Sequence, residues 1–197
     1  MPTKKVNTKE KIANSTLSLI DKKPFPQLRT KEIANKANIS EATIFKYYKS
    51  KDSILDKIIS NFFNHLTDFN LSHIENEEDF RNELITFFQK TQKSNYFKRR
   101  LMKFVLYLGM YKQDTFFIFV NKMNVIFFEP IERIVDKGKA EWGYNKNINT
   151  KIHVRLFVNS IVLFAIQQDV FGAKKIEEYN FNKIITTGVD NFIKSLK

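Results

Sequence analysis

The chain has 197 residues, with 33 Lys and Arg against 21 Asp and Glu, a formal net charge of +12. Hydrophobic residues make up 43%, enough to bury a core, so a disordered basic tail is excluded. The absence of cysteine excludes a disulfide scaffold, a thiolate nucleophile and a Cys-ligated zinc or iron–sulfur centre. The length fits one domain or a small module carried on a larger one. The longest unbroken apolar run, Ile161 to Ile166, falls far short of the roughly 18 residues that a membrane-spanning helix needs. The start, MPTKKVNTKEK, is charged with no apolar stretch behind it, which predicts a cytoplasmic protein without a secretory signal.

The charge is unevenly placed. Residues 1–51 hold eleven Lys and Arg29 against Glu10, Asp21, Glu32 and Glu41, a net +8, which leaves +4 for the other 146 residues. A basic segment suits a polyanion or an anionic membrane surface. Richness in Lys, Asn, Ile and Phe is also what an AT-rich genome produces, so the distribution says more than the total.

In chain order, Asn7 with Glu10 three positions later reads as a capping box, and Ile12, Ala13, Thr16, Leu17 and Ile20 follow at helical spacing. Pro24 and Pro26 end that helix. Thr30 is placed to cap a second helix, with Ile33, Ala34 and Ala37 inward, and Asn38 suits a left-handed turn residue. Ser40 caps a third, short helix to about Tyr48, in which Ile39, Ile44 and Tyr48 form the packing stripe. Helix, four-residue turn and short helix is helix-turn-helix spacing, and the outward residues are small, polar, aromatic and basic, as a major groove accepts.

A long amphipathic helix is expected from Ile54 through Leu66 and Phe69 to about Leu71, then helices near 76–93, 96–112, 114–139, 150–171 and 180–196. Pro130 should kink or restart the fourth of these, and 137–150 is the clearest loop. The stretches 101–111 and 156–166 are apolar almost all round and so must be covered on more than one side. The expected covers are the middle of a helical body for the first and another subunit for the second. The stripe Ile185, Val189, Phe192, Ile193 and Leu196 would join that subunit contact. His65, His73 and His153 fall in no metal or catalytic spacing, and neither a phosphate loop nor a nucleophile elbow is present. No catalytic residue, metal site or cofactor is therefore expected, and the chain does not read as an enzyme.

The run TKEIANKANISEATIFKYYKSKDSIL, from Thr30 to Leu55, closely resembles the signature of the TetR family of bacterial transcriptional regulators. Thr30, Ile33, Ala34, Ala37, Ser40, Thr43, Ile44, Tyr47, Ser50, Lys51 and Leu55 match without a gap, and the clear resemblance covers about residues 8–60. Asn38 stands where the turn glycine is usual, Ala42 where another small residue is, and Phe45 where tyrosine is, so a phosphate-reaching hydroxyl is missing. Tyr47 and Tyr48 replace the common His-Phe pair.

The resemblance implies an all-α fold with an N-terminal three-helix helix-turn-helix DNA-binding domain (1–50) and a larger C-terminal helical ligand-binding and dimerisation domain (51–197). It implies that Thr30 and Lys31 meet phosphate, that Ser40, Glu41, Ala42, Thr43, Phe45 and Lys46 face the groove, and that Tyr47 and Lys51 clamp the backbone. Lys4, Lys5, Lys9 and Lys11 read first as a frayed, solvated tail, with a path along the DNA backbone or into a minor groove as the alternative. Aromatic crowding, Phe97 included, suggests a pocket, with Phe104, Tyr107, Tyr111, Phe117, Trp142, Arg155 and Gln167 as candidate ligand contacts. The implied protein is a homodimeric regulator, most often a repressor in this family, that binds a palindromic double-stranded operator and is released by a small apolar or amphipathic inducer. The alternative keeps DNA binding but makes the body a dimerisation or protein-docking module without an inducer. The motif argues against a membrane partner.

Overall fold

The computed structural model describes residues 7–66, 69–93 and 99–197; Lys4, Lys5, Phe97 and the side chain of His65 lie outside these. Among the described residues the structure is helical with no strand. Its α-helices are α1 (Thr8–Ile20), α2 (Thr30–Ala37), α3 (Glu41–Tyr47), α4 (Ser53–Leu66), α5 (Glu77–Lys93), α6 (Arg99–Tyr111), α7 (Gln113–Met123), α8 (Glu129–Glu141), α9 (Thr150–Ala165) and α10 (Phe181–Ser195). No helix among them is long and apolar enough to cross a membrane.

Two compact units emerge: residues up to His65 together with 100–119, and 66–99 together with 120–197. The first unit is thus larger than the expected 1–50 domain, for reasons visible in its core. Phe62 and Phe63 of α4 meet Phe119 with ring centroids 5.2 and 5.4 Å apart, and Phe25 meets Tyr107 at 5.7 Å. The Lys103 ammonium bonds both the carboxylate of Asp21 (3.1 Å) and its carbonyl (3.0 Å) at the end of α1. Helix α6, expected in the middle of the body, therefore finds the cover for its apolar surface in the N-terminal unit. Leu101, Phe104 and Leu108 are buried there.

Within this unit Asn7 caps α1 through the Lys9 N–H (3.0 Å), but Glu10 does not complete the box. Its carboxylate goes to Lys57 (2.5 Å) and to the buried amide of Asn61 (2.6 Å) on α4. A charged partner holds a carboxylate more strongly than a solvent-exposed backbone N–H does. Helix α4 is described to Leu66, and Phe69 and Leu71 lie outside any helix, in the connection before α5, where they are nevertheless buried.

The second unit is built on aromatic packing. Phe157 of α9 stacks on Phe192 of α10 at 4.3 Å, Phe80 of α5 meets Phe192 at 6.4 Å, and Phe69, Phe87 and Phe127 form a cluster with centroids within 5.0 Å. The α10 stripe expected at a subunit contact is instead spent here. Ile185, Val189, Phe192, Ile193 and Leu196 are all buried within the chain, because α5 and α9 both lie against that face. Pro130 has no N–H for an intrahelical bond. A π turn over Asn124–Phe128, closed by the Glu129 N–H on the Asn124 carbonyl, precedes it, and α8 restarts with the proline in its first turn.

Helix α8 runs on to Glu141, so the expected loop starts later than position 137. Gly138 sits inside the helix because the Tyr144 ring lies over it, and an added Cβ would run into that ring. Alanine normally favours a helix over glycine by about 1 kcal/mol. We expect the opposite sign here: Gly138→Ala should lower stability by about 1–2 kcal/mol in urea unfolding. In a Tyr144→Ala background the same change should become neutral or stabilising, and a stabilising effect in the wild-type background would refute the steric account.

Candidate nucleic-acid interface

The segment from Arg29 to Tyr48 is assembled by local caps and a few distant ties. Arg29, not Thr30, is the residue before α2, and its N–H donates to the Glu32 carboxylate (2.7 Å). The Lys23 ammonium grips both Glu32 oxygens (2.6 and 2.7 Å), and this pairing, with the Arg29 N–H, holds the Glu32 carboxyl below the usual range. Thr30, released from capping, donates its hydroxyl to the Glu41 carboxylate at the start of α3. Asn38 takes the left-handed conformation (φ 51°, ψ 53°), and the N–H groups of Asn38 and Ile39 close back on the carbonyls of Asn35 and Ala34 at 3.1 Å each. That is a Schellman closure with asparagine in place of glycine. Ser40 caps α3, accepting from the Thr43 N–H (3.1 Å) and sharing a bond with the Thr43 hydroxyl (2.8 Å).

Helix α3 has seven residues. Ile44 is fully buried, and Tyr48 just past the helix end is buried with its hydroxyl donating to the Lys9 carbonyl of α1 (3.0 Å). The side of α3 opposite them carries Ala42, Phe45 and Lys46, all exposed, and none has a hydrogen bond, ion pair or ring contact with another described residue. Lys31 is likewise exposed at the start of α2, and Tyr47 is half-buried. The remaining expected contacts are occupied within the fold: Thr30 with Glu41, and Ser40 with Thr43. Lys51 departs furthest from expectation. Its ammonium donates to the carbonyls of Phe25 (3.1 Å), Pro26 (3.1 Å) and Leu28 (3.0 Å) and lies 4.7 Å from the Phe25 ring centre. All three ammonium protons are committed, and burial draws its pKa below the ordinary lysine value. Lys51 fastens the connection between α1 and α2; it is not free to clamp a phosphate. Arg29 and Lys49, exposed on either side of the motif, are cations that the motif-derived set omits.

The family model described as bacterial regulatory proteins, tetR family, matches residues 12–58, the stretch that contains α2, α3 and the turn between them. Residues 12–58 thus match the DNA-binding domain of the TetR family. It is 42% identical over 53 residues to the HTH-type transcriptional regulator YvkB of Bacillus subtilis (strain 168), a match over 27% of this chain and 28% of that relative. It is 22% identical over 164 residues to YvdT of the same organism, 82% of each chain. Among solved structures, it is similar to the fatty acid degradation regulator FadR from Bacillus halodurans, with a TM-score of 0.74, 13% identity and 99% of both chains covered. It is also similar to NalD, the secondary repressor of the MexAB-OprM multidrug efflux pump in Pseudomonas aeruginosa, with a TM-score of 0.69, 13% identity and 96% and 95% covered. The sequence matches support a TetR-type DNA-binding transcriptional regulator.

The seven candidate ligand contacts divide between the units. In the first, Phe104 and Tyr107 are buried core, while Tyr111 and Phe117 are 65% and 60% exposed. In the second, Trp142 packs against Tyr144 and Phe80. Arg155 is already engaged, bonding Glu132 (2.6 Å) and Asn124 (3.1 Å) with its guanidinium 4.0 Å from the Phe128 ring centre. Gln167 is exposed. Its neighbour Gln168 continues the inward stripe Val154, Phe157, Val158, Ile161 and Ala165, donating to the Glu177 carbonyl (3.2 Å) and accepting from the Tyr179 N–H (3.4 Å). A polar cleft of about 570 Å³ in the first unit includes Tyr111, and a more apolar cleft of about 470 Å³ in the second, between Phe69–Ile74 and α8, includes none of the seven. Among the described residues no cluster of three or more His, Asp or Glu is placed to hold a metal.

Burial, helped by the Glu10 charge, pushes the Tyr48 hydroxyl up to about 12. An unfolded tyrosine ionises near 10. The folded state thus keeps a proton that the unfolded chain gives up, so this contribution is complete below pH 10 and lost as pH rises through about 12. Tyr48→Phe should cost about 1 kcal/mol at pH 8 through the missing bond to Lys9. The gap between the two proteins in urea unfolding should close and reverse by about pH 12. A gap unchanged with pH would remove this role for the hydroxyl.

Proposed function

We propose that this protein is a TetR-type cytoplasmic homodimeric repressor that binds a palindromic operator through α3 and leaves it when a small apolar or amphipathic molecule binds its helical body. The observation that carries the DNA half of this reading is the outward side of α3. Ala42, Phe45 and Lys46 are exposed and uncommitted on a helix whose other side is locked into the domain, within the segment that holds +8 of the +12. Lys31, Arg29 and Lys49 flank it and suit phosphate contacts, which position a protein without reading sequence.

Dimerisation is supported by α9. Opposite its buried stripe it presents Ile152, Leu156 and Leu163 at 54%, 67% and 52% exposure, with Asn159 and Ser160 between them, and beyond it Phe171 and Ile176 are 68% and 93% exposed. A helix apolar on both sides needs a second cover, and a two-fold dimer places two recognition helices about one DNA turn apart. A ligand that favours another spacing would shift the population off the operator. Two proteins that share this fold are a fatty acid degradation regulator and the repressor of a multidrug efflux pump, which supports an apolar or amphipathic ligand class. The satisfied state of Arg155 favours the second reading, a body that only dimerises or docks a protein.

Operator affinity measured against salt tests the DNA half. We expect a preferred duplex and release of more than about three counterions per dimer; a shallower dependence, or equal affinity for every sequence, rejects the reading. For the dimer, Leu156→Glu with Leu163→Glu should give a monomer by analytical ultracentrifugation with unchanged helical circular dichroism. Operator binding should fall with it, and a variant that stays dimeric removes α9 from the interface.

A further inference from the structure

We propose that Phe45, with Ala42 beside it, reads the C5-methyl group of thymine in the operator's major groove, so that each half-site carries a thymine at one fixed position. This inference rests on the DNA-binding reading of α3 and deepens it.

The helix offers few means of reading a base. Its sequence, EATIFKY, contains no Arg, Asn or Gln, so the bidentate contacts by which those side chains read guanine and adenine are missing. Glu41 is taken by Thr30, and the hydroxyls of Ser40 and Thr43 bond each other. The exposed, uncommitted groups opposite Ile44 are a methyl, a phenyl ring and an ammonium, on Ala42, Phe45 and Lys46.

Phe45 is 53% exposed and makes no ring contact with another described residue, so much of its ring is open to a partner. A phenyl group can neither donate to a phosphate nor accept from a base. The apolar feature that a DNA major groove presents is the thymine C5-methyl, which such a ring buries. Ala42 lies one turn before Phe45 on the same side of α3 and widens the apolar contact. Lys46, next along, remains free for a guanine edge or a phosphate.

The test uses the full-length protein and a duplex that it selects from a random-sequence library at fixed salt. Each thymine of that duplex is then replaced by deoxyuridine, which lacks only the methyl, and affinities are read by fluorescence anisotropy. One position per half-site should weaken wild-type binding about fourfold, and both together about fifteenfold, the loss expected for one buried methyl each. Phe45→Ala should bind the thymine and deoxyuridine duplexes equally, and Phe45→Leu should keep part of the difference. If the wild type binds a fully deoxyuridine duplex as tightly as the thymine duplex while still rejecting a scrambled one, methyl reading is overturned and the DNA reading stands. If Phe45→Ala keeps the whole difference, the assignment to Phe45 is overturned. If no sequence is enriched, the inference falls together with the reading beneath it.

Discussion

Seven residues of helix do not hold themselves together in water. An isolated helix needs roughly twice that length to be even marginally populated, yet α3 has to present a fixed face. Everything around it compensates. Ser40 closes its start, the Schellman turn at Asn38 sets its entry, buried Ile44 anchors its middle, and the Tyr48 hydroxyl ties its end to α1. One residue group further on, the Lys51 ammonium gathers three carbonyls of the α1–α2 connection. The short helix is thus rigid by attachment, and its exposed side is free of any duty to the fold.

This has a consequence for the charge. The segment's positive excess is not all available to a polyanion, because Lys23 serves Glu32 and Lys51 serves backbone carbonyls. The exposed remainder, which includes Lys9, Lys11, Lys31, Lys36, Lys46 and Lys49, is the set that can release counterions. The cations closest in sequence to the motif therefore divide into those spent inside the fold and those left to solvent, a division that only burial and partners reveal.

What could be read from the sequence follows the range of the interaction. Asn38, Ser40 and Ile44 were legible because turn closure, capping and core spacing act over a few residues. The Thr30–Glu41, Glu10–Asn61 and Tyr48–Lys9 ties were not, since they join residues 11, 51 and 39 positions apart. Periodicity also identifies an apolar face without naming what covers it. The α10 stripe was correctly apolar but is covered by α5 and α9, and α6 finds its cover in the N-terminal unit. Gln167 and Gln168 show the same limit at single-residue scale, where composition favours neither and only the helix phase turns Gln168 inward.

The π turn at Asn124–Phe128 also bears on which length changes the chain tolerates. Such a turn holds one residue more than a regular helical path over the same distance. Removing one residue there would therefore run α7 into α8 as a regular helix and leave the later side chains in phase. Ile131 and Val135 would stay in the core, and Glu132 would keep Arg155. A deletion inside α8 has no such slack and would swing every later side chain of that helix by about 100° around its axis, while one in the 142–149 connection would disturb Tyr144, which lies over Gly138.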